Sequence, residues 1–350
     1  MARRRRDAAL DIIRAFAIVM VALCHATERV YIVWSGVPGN ALAGSAVYAA
    51  LHLMSRLGVP LFLMLTGALV LRKRFSSTAD VLVFYRTHLL PLFIATELWT
   101  VLYNLWFAVG GAFSVGGLVK DLLFIEYPKI HFWYMPMILG LYATIPFVAM
   151  VVQHVRLRAL ALPFALVFAL SSVWPTTGWF AGFLGLGALP ATKLTIPFGG
   201  GVYGIYLILG YYVYNRRILR EAPVALLAAL GLVGVAGAFL FEYLTGSFFY
   251  ENPFLPAYSI VCFEGFLRLF GTVRPEGAFA RACAFLSVNA FGAYLIHMGI
   301  LDGLGDATAM FAAEPLRVAV VLAVTLGASY AATALLGLIK PARRFLLNRR

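Results

Sequence analysis

Arg14 and His25 stand eleven positions apart in the first apolar stretch of the chain, Asp11-Ile-Ile-Arg14-Ala-Phe-Ala-Ile-Val-Met-Val-Ala-Leu-Cys-His25. On an α-helix eleven residues nearly close three turns, so both side chains face one way, about 16 Å apart along the axis. A neutral imidazole is a natural general base near pH 7, able to take a proton from an attacking hydroxyl. Glu28 follows His25 by three residues, close enough on a continuing helix to orient or charge the ring. Ionisable groups inside an apolar helix are expensive and face a cavity or a partner, so the pair is a functional-site hypothesis. A histidine that only hydrogen-bonds a carbonyl inside a bundle would read the same way, and the residue types leave both readings open.

The elements that must hold these groups are membrane helices. Hydrophobic residues make up 62% of the 350, charged residues 12%, and the mean hydropathy is +0.89, far above an ordinary soluble domain. The formal net charge of +13 is spread in short clusters between apolar spans rather than along one solvated face, which argues for topology and against a nucleic-acid partner. Cys24, Cys262 and Cys283 fall inside apolar stretches without disulfide-framework or metal-type spacing, so no metal is expected. Arg3 to Arg6 before an apolar run resembles a secretory leader, but the run is about twenty residues long and carries Asp11 and Arg14, so a retained first helix is expected.

Apolar spans near 9–30, 46–71, 86–109, 132–153, 159–174, 199–214, 223–245, 257–273, 283–303 and 316–339 predict an all-α, polytopic membrane protein. This is about ten helices in one bundle, a single domain over 1–350 with no appended soluble domain. Basic clusters fall at alternate junctions: Arg3 to Arg6, Arg72-Lys73-Arg74, Arg156 with Arg158, Arg216-Arg217 with Arg220, Arg274 with Arg281, and Lys340 to Arg350. The intervening loops carry few, chiefly Arg29, Lys120, Lys129, Lys193 and Arg317, which places both termini in the cytoplasm. The segments 110–131 and 175–198 are long enough to cap the other face.

Arg86 and Glu97 repeat the eleven-residue interval on the third span, so they are expected to share a face and either could pair with the first helix. Glu264 and Arg268, four apart, are expected to neutralise each other. Arg72 to Arg74 is a cytoplasmic anchor first and an anion contact second.

Five stretches in order carry a family resemblance. Asp11-x-x-Arg14-Ala-Phe-Ala-Ile with the Arg14-x10-His25 interval comes first. Ser55-Arg-Leu-Gly58-Val-Pro60-Leu-Phe62-Leu-Met-Leu-Thr66-Gly67 and Tyr85-Arg86-Thr-His-Leu-Leu-Pro91 follow. His131-Phe-Trp133-Tyr134 leading to Tyr142 and Pro146, and Phe291-Gly-Ala-Tyr294-Leu-Ile-His297, complete the set. Together they resemble the membrane acyltransferase 3 family, with Thr66 where the family usually has serine. The compact size is most similar to the stand-alone enterobacterial common antigen O-acetyltransferase group.

That resemblance implies transfer of an acyl group, usually acetyl, from cytoplasmic acetyl-CoA to a hydroxyl of a cell-surface or lipid-linked glycan, in a bacterial inner membrane. His25 would be the catalytic base, oriented by Glu28. Arg14 would meet the donor phosphates or a developing oxyanion, with Arg72, Arg74 and Arg86 as further cations toward the coenzyme. Trp133, Tyr134 and Tyr294 would line the acceptor side, an aromatic belt being their bland reading. His131 and His297 carry over as substrate-binding positions without an assigned role. Thr66 and Gly67 are expected to permit close helix contact.

Two readings from other classes stay open. A proton-coupled small-molecule transporter could use Glu97, Glu242 and His25 as its relay. A non-catalytic partner in surface-glycan assembly would tolerate loss of His25.

Overall fold

The structure is a computed structural model and describes residues 7–187, 201–246, 249–305, 310–311 and 313–349. Arg3 to Arg6, Lys193, Arg350 and the 188–198 part of the long 175–198 connection lie outside the described residues. The helices run α1 (Ala8–Glu28), α2 (Ala46–Ser55), α3 (Gly58–Val70), α4 (Thr78–Phe84), α5 (Leu90–Val109), α6 (Val115–Leu122), α7 (Tyr134–His154) and α8 (Leu157–Phe168). They continue as α9 (Trp174–Phe183), α10 (Gly201–Asn215), α11 (Val224–Thr245), α12 (Phe254–Phe270), α13 (Ala278–Leu304), α14 (Glu314–Leu336) and α15 (Lys340–Phe345). Among the described residues there is no strand.

Eight helical segments are long and apolar enough to cross a membrane. The expected spans near 199–214 and 257–273 are present as α10 and α12, but their described lengths of 15 and 17 residues fall short of a full crossing. Lipid-facing character is plain on α11, which exposes Val224, Leu226, Leu232 and Val233.

The bundle forms around α1. Asp7, in extended conformation, accepts a hydrogen bond from the Ala9 amide and starts the helix. Almost every α1 side chain is buried, because α2, α3, α12, α13 and α14 surround it. Glycines set the closest approaches. A Cβ on Gly58 would lie 2.9 Å from the Ala17 carbonyl oxygen, and one on Gly67 or Gly210 would collide with the Leu207 or Met64 backbone. The α3–α10 contact is therefore backbone on backbone, which is the close contact expected at Gly67.

Prolines shape the irregular points. Pro60 cannot bond to the carbonyl four residues back, that of Arg56, and the 46–71 span breaks at Arg56-Leu57 between α2 and α3. The π-helical turns Tyr85–Leu89 and Ala169–Val173 precede Pro91 and Pro175 and absorb the same missing donor.

Candidate active site

From Ala8 to Glu28 helix α1 is regular, so Arg14 and His25 do lie on one face. Arg14 Nη1 donates to Ser287 Oγ at 3.0 Å, Ser287 Oγ donates to Asp11 Oδ1 at 2.6 Å, and the Arg14 guanidinium stands 4.0 Å from that carboxylate. This closed loop fixes the arginine in the wall of a cavity of about 510 Å3 between α1, α3, α7 and α13. Val21 is the next α1 residue in the wall, and His25 lies one turn beyond it. Val59, Phe62 and Thr66 of α3 make the cavity largely apolar, and Tyr134 and Tyr294 also line it.

Past those tyrosines three imidazoles meet. The His25 and His297 ring centroids are 5.2 Å apart, and His131 stands edge-on to His297 at 5.0 Å. Tyr294 Oη donates to the His131 carbonyl, and His297 Nδ1 donates to the Tyr294 carbonyl. His297 therefore keeps its lone pair on Nε2, which meets no hydrogen-bond partner among the described residues, and neither ring nitrogen of His131 meets one. Both rings are 1% exposed. Two segments distant in sequence thus bring buried ring nitrogens without hydrogen-bond partners beside His25.

An ion cluster staples those same elements. Asp302 pairs with Arg29, four residues after His25, and with Lys129, two residues before His131, the latter at 2.6 Å. Asp302 itself is five residues after His297 on α13.

Glu28 divides its carboxylate. Oε2 lies 3.0 Å from His25 Nδ1, while Oε1 accepts from Arg56 Nη2 at 3.0 Å and from Cys24 Sγ at 3.5 Å. His25 so held donates through Nδ1 and leaves Nε2 as its basic nitrogen. Arg56 also meets His52 Nε2, and His52 Nδ1 lies 2.7 Å from Glu242 Oε1, whose residue is wholly buried. Arg56 further covers the Tyr250 ring at 5.5 Å, and Tyr250 groups with Trp133 and Tyr203, their centroids 5.5 to 6.1 Å apart. Cys24, His25 and Glu28 offer donor atoms within 4.8 Å of one another, but the Arg56 guanidinium already on Oε1 opposes a metal ion there.

The remaining expected site residues separate. Trp133 joins the Tyr203–Tyr250 group, whereas Tyr134 and Tyr294 face the Arg14 cavity. Arg72 and Arg74 line a second cavity of about 550 Å3 with Lys73, His154 and Arg216, between the ends of α3, α7 and α10. There burial, with the Arg72 cation beside it, holds the Lys73 ammonium below its ordinary range. Arg86 belongs to neither cavity. It is exposed, in an apolar groove with Tyr85, Phe93 and Phe124. The π-helical turn at Tyr85–Leu89 shifts the register, so the eleven-residue interval to Glu97 does not close on three α turns, and no pairing of either residue with α1 is seen among the described residues. Glu264 and Arg268 do pair, at 2.8 Å.

His52 and Arg56 are parts of the site to which the sequence reading gives no role, and Glu242, named there only for a transporter relay, joins them. The signal was there for Arg56, a charge in an apolar span next to Gly58 and Pro60.

No curated protein and no solved structure matches the chain. A family model described as an acyltransferase domain matches residues 7–334, nearly the whole chain and every element of this site except the last residues of the Arg14 cavity. The chain belongs to the acyltransferase 3 family.

Proposed function

We propose that this membrane acyltransferase is an O-acetyltransferase, taking acetyl from acetyl-CoA and giving it to a hydroxyl of a cell-surface or lipid-linked glycan. The observation that carries the reading is the line along α1: a guanidinium in a mostly apolar cavity at one end, and a carboxylate-oriented imidazole one turn beyond its far wall. The donor's phosphates meet Arg14 and its thin acyl-bearing arm occupies the apolar stretch. Both termini then lie on the cytoplasmic side of a bacterial inner membrane, where basic residues gather.

His25 Nε2 takes the proton of the acceptor hydroxyl as its oxygen attacks the thioester carbonyl. The tetrahedral intermediate collapses, the carbon–sulfur bond breaks, and the His25 imidazolium returns the proton to the leaving thiolate. Ester and free thiol are the products, and Glu28 stabilises the transient imidazolium. His131, one of whose unpartnered ring nitrogens carries a proton, donates to the developing oxyanion, and the His297 Nε2 lone pair accepts from a neighbouring hydroxyl of the acceptor. The Trp133, Tyr203 and Tyr250 group, joined to Glu28 through Arg56, suits the apolar face of a sugar. Arg72 and Arg74 suit the outer phosphate of the coenzyme, and Arg86 stands apart from both cavities.

The test uses purified protein in lipid nanodiscs with acetyl-CoA. Wild type binds the thioester and slowly consumes it, His25→Ala binds but does not turn over, and Arg14→Ala binds poorly. If wild type neither binds nor consumes any acyl thioester, the enzyme reading is lost and proton-coupled transport becomes the assay to run.

A further inference from the structure

The basic run that starts at Lys340 reads, in the sequence, as charge sorting at a membrane face. Its fold says more. After α15 the chain turns back on itself, with the Leu347 amide donating to the Ala342 carbonyl at 3.0 Å and the Arg349 amide to the Arg343 carbonyl at 2.9 Å. Asn348 adopts φ 49°, the left-handed conformation that asparagine tolerates. Trp99 Nε1 of α5 donates to the Leu346 carbonyl at 3.0 Å.

Leu347, 2% exposed, fills the notch left by Gly292 of α13, where an added Cβ would come within 2.7 Å of its Cδ2. A segment held at three points is a built wall rather than a trailing end. It brings Asn348 and Arg349 into the lining of the Arg14 cavity. Arg349 Nη2 donates to Asn289 Oδ1 at 2.6 Å, a neutral amide. No carboxylate is among the described residues that line the cavity: the Arg14 guanidinium keeps Asp11 at 4.0 Å on the wall side, and the second guanidinium entering the same space, Arg349, has the neutral Asn289 amide. Burial alone pulls the Arg349 pKa below its ordinary value. Arg343 and Arg344 of the same run are exposed and outside the cavity.

We infer that Arg349 is a second anion-binding residue of the donor cavity, placed by the segment after α15 so that it and Arg14 take a phosphate or pyrophosphate group of the acyl donor together. The inference rests on the donor reading of that cavity. A guanidinium carries five N–H donors, so Arg349 can keep its Asn289 bond while turning others to a phosphate. The fork shape is what makes arginine rather than lysine suited to the position.

The experiment is equilibrium binding of CoA, and of pantetheine as a phosphate-free probe, to the full-length protein in nanodiscs. Wild type is compared with Arg14→Ala, Arg349→Glu, Arg349→Gln, Arg349→Lys and Arg343→Glu, and thermal midpoints are recorded for each. Arg349→Glu and Arg349→Gln are expected to weaken CoA at least tenfold and to flatten its salt dependence without moving pantetheine. Arg349→Lys restores part of the loss, and Arg343→Glu binds as wild type. Arg349→Gln keeps a donor for Asn289, so a normal midpoint for that variant separates binding from folding.

If Arg14→Ala loses CoA while Arg349→Glu and Arg349→Gln keep it, the inference falls and the donor reading stands. Equal losses in Arg349→Glu and Arg343→Glu would reduce the effect to overall charge and also overturn it. Wild type that fails to bind CoA removes the donor reading and this inference with it.

Discussion

His25 Nδ1 lies 3.0 Å from Glu28 Oε2, and the other oxygen of that carboxylate is held by Arg56 at the same distance. One acid thus both selects the histidine's donor nitrogen and is itself fixed by a cation from the α2–α3 break. His25→Ala should cut acyl transfer by about 10²- to 10⁴-fold, the usual worth of a positioned base. Glu28→Gln keeps an acceptor for Nδ1–H and should lose less. Glu28→Leu also takes the carboxylate from Arg56, which keeps His52 and the Tyr250 ring, and should cost about 1–3 kcal/mol of stability. Turnover and thermal midpoints of the three variants side by side decide it, and Glu28→Gln as inactive as His25→Ala would show that Glu28 does more than orient.

The buried His52–Glu242 pair gives a second expectation. With Nδ1 2.7 Å from a wholly buried carboxylate, it buttresses Arg56 from behind. Glu242→Gln preserves the hydrogen bond and should leave a folded, active protein, whereas Glu242→Leu leaves His52 Nδ1 unsatisfied at a cost of about 1–3 kcal/mol. If Glu242→Gln abolished activity while folding normally, proton movement through the pair would be required, and the transporter reading would gain its first support.

Helix packing can be probed apart from chemistry. An alanine Cβ at Gly67 or Gly210 meets backbone, not a side chain that can turn away. Each substitution should lower stability by about 1–3 kcal/mol, as overpacking does, and the double variant should fail to fold if α3 and α10 cannot separate. Gly140→Ala, where nothing lies within 4 Å, is the matched control for yield and melting.

The second basic cavity has a pH signature. Lys73 is outside the spans, and burial with Arg72 beside it lowers its pKa. Only the protonated form attracts an anion, so a lowered pKa means that charge is lost at lower pH than for a free lysine, whose pKa is about 10.4. Pyrophosphate bound there should weaken as pH rises toward 10, and Lys73→Arg should remove that alkaline loss. An unchanged profile in Lys73→Arg would take Lys73 out of the cavity's binding face.

The Arg14–His25 face was legible because α1 is regular and a period of 3.6 holds from one residue to the other. The same arithmetic misplaces Arg86 against Glu97, since the π-helical turn ahead of Pro91 adds a residue to the winding. Arg56 is hidden for another reason: its amide still bonds the His52 carbonyl as in a continuing helix, and what gives it a role is Glu28 and Tyr250, which other segments bring to it. The His52–Glu242 contact joins positions 190 residues apart, which no local pattern encodes. Arg349 was legible as a charge but not as a cavity residue, because that depends on Leu347 finding the notch at Gly292.

Asp302 offers the sharpest separation of geometry from binding. It touches none of the histidines, yet it pairs with Arg29 and Lys129, which flank His25 and His131 on their own elements, and it rides on the helix that carries His297. Hydrogen bonds to charged groups are worth about 1.5–3 kcal/mol each, so Asp302→Asn weakens both ties without emptying the space. The Arg14 cavity does not include Asp302, so CoA affinity should be unchanged. Turnover should fall, because a displacement near 1 Å among reacting groups can cost about 10²-fold. Lys129→Met should reproduce part of the fall, and Asp302→Asn with Lys129→Met should be no worse than Asp302→Asn alone if the ion cluster acts as a unit. Additive losses, or a loss of CoA affinity with unchanged turnover, would show that Asp302 does not hold the three histidines in register.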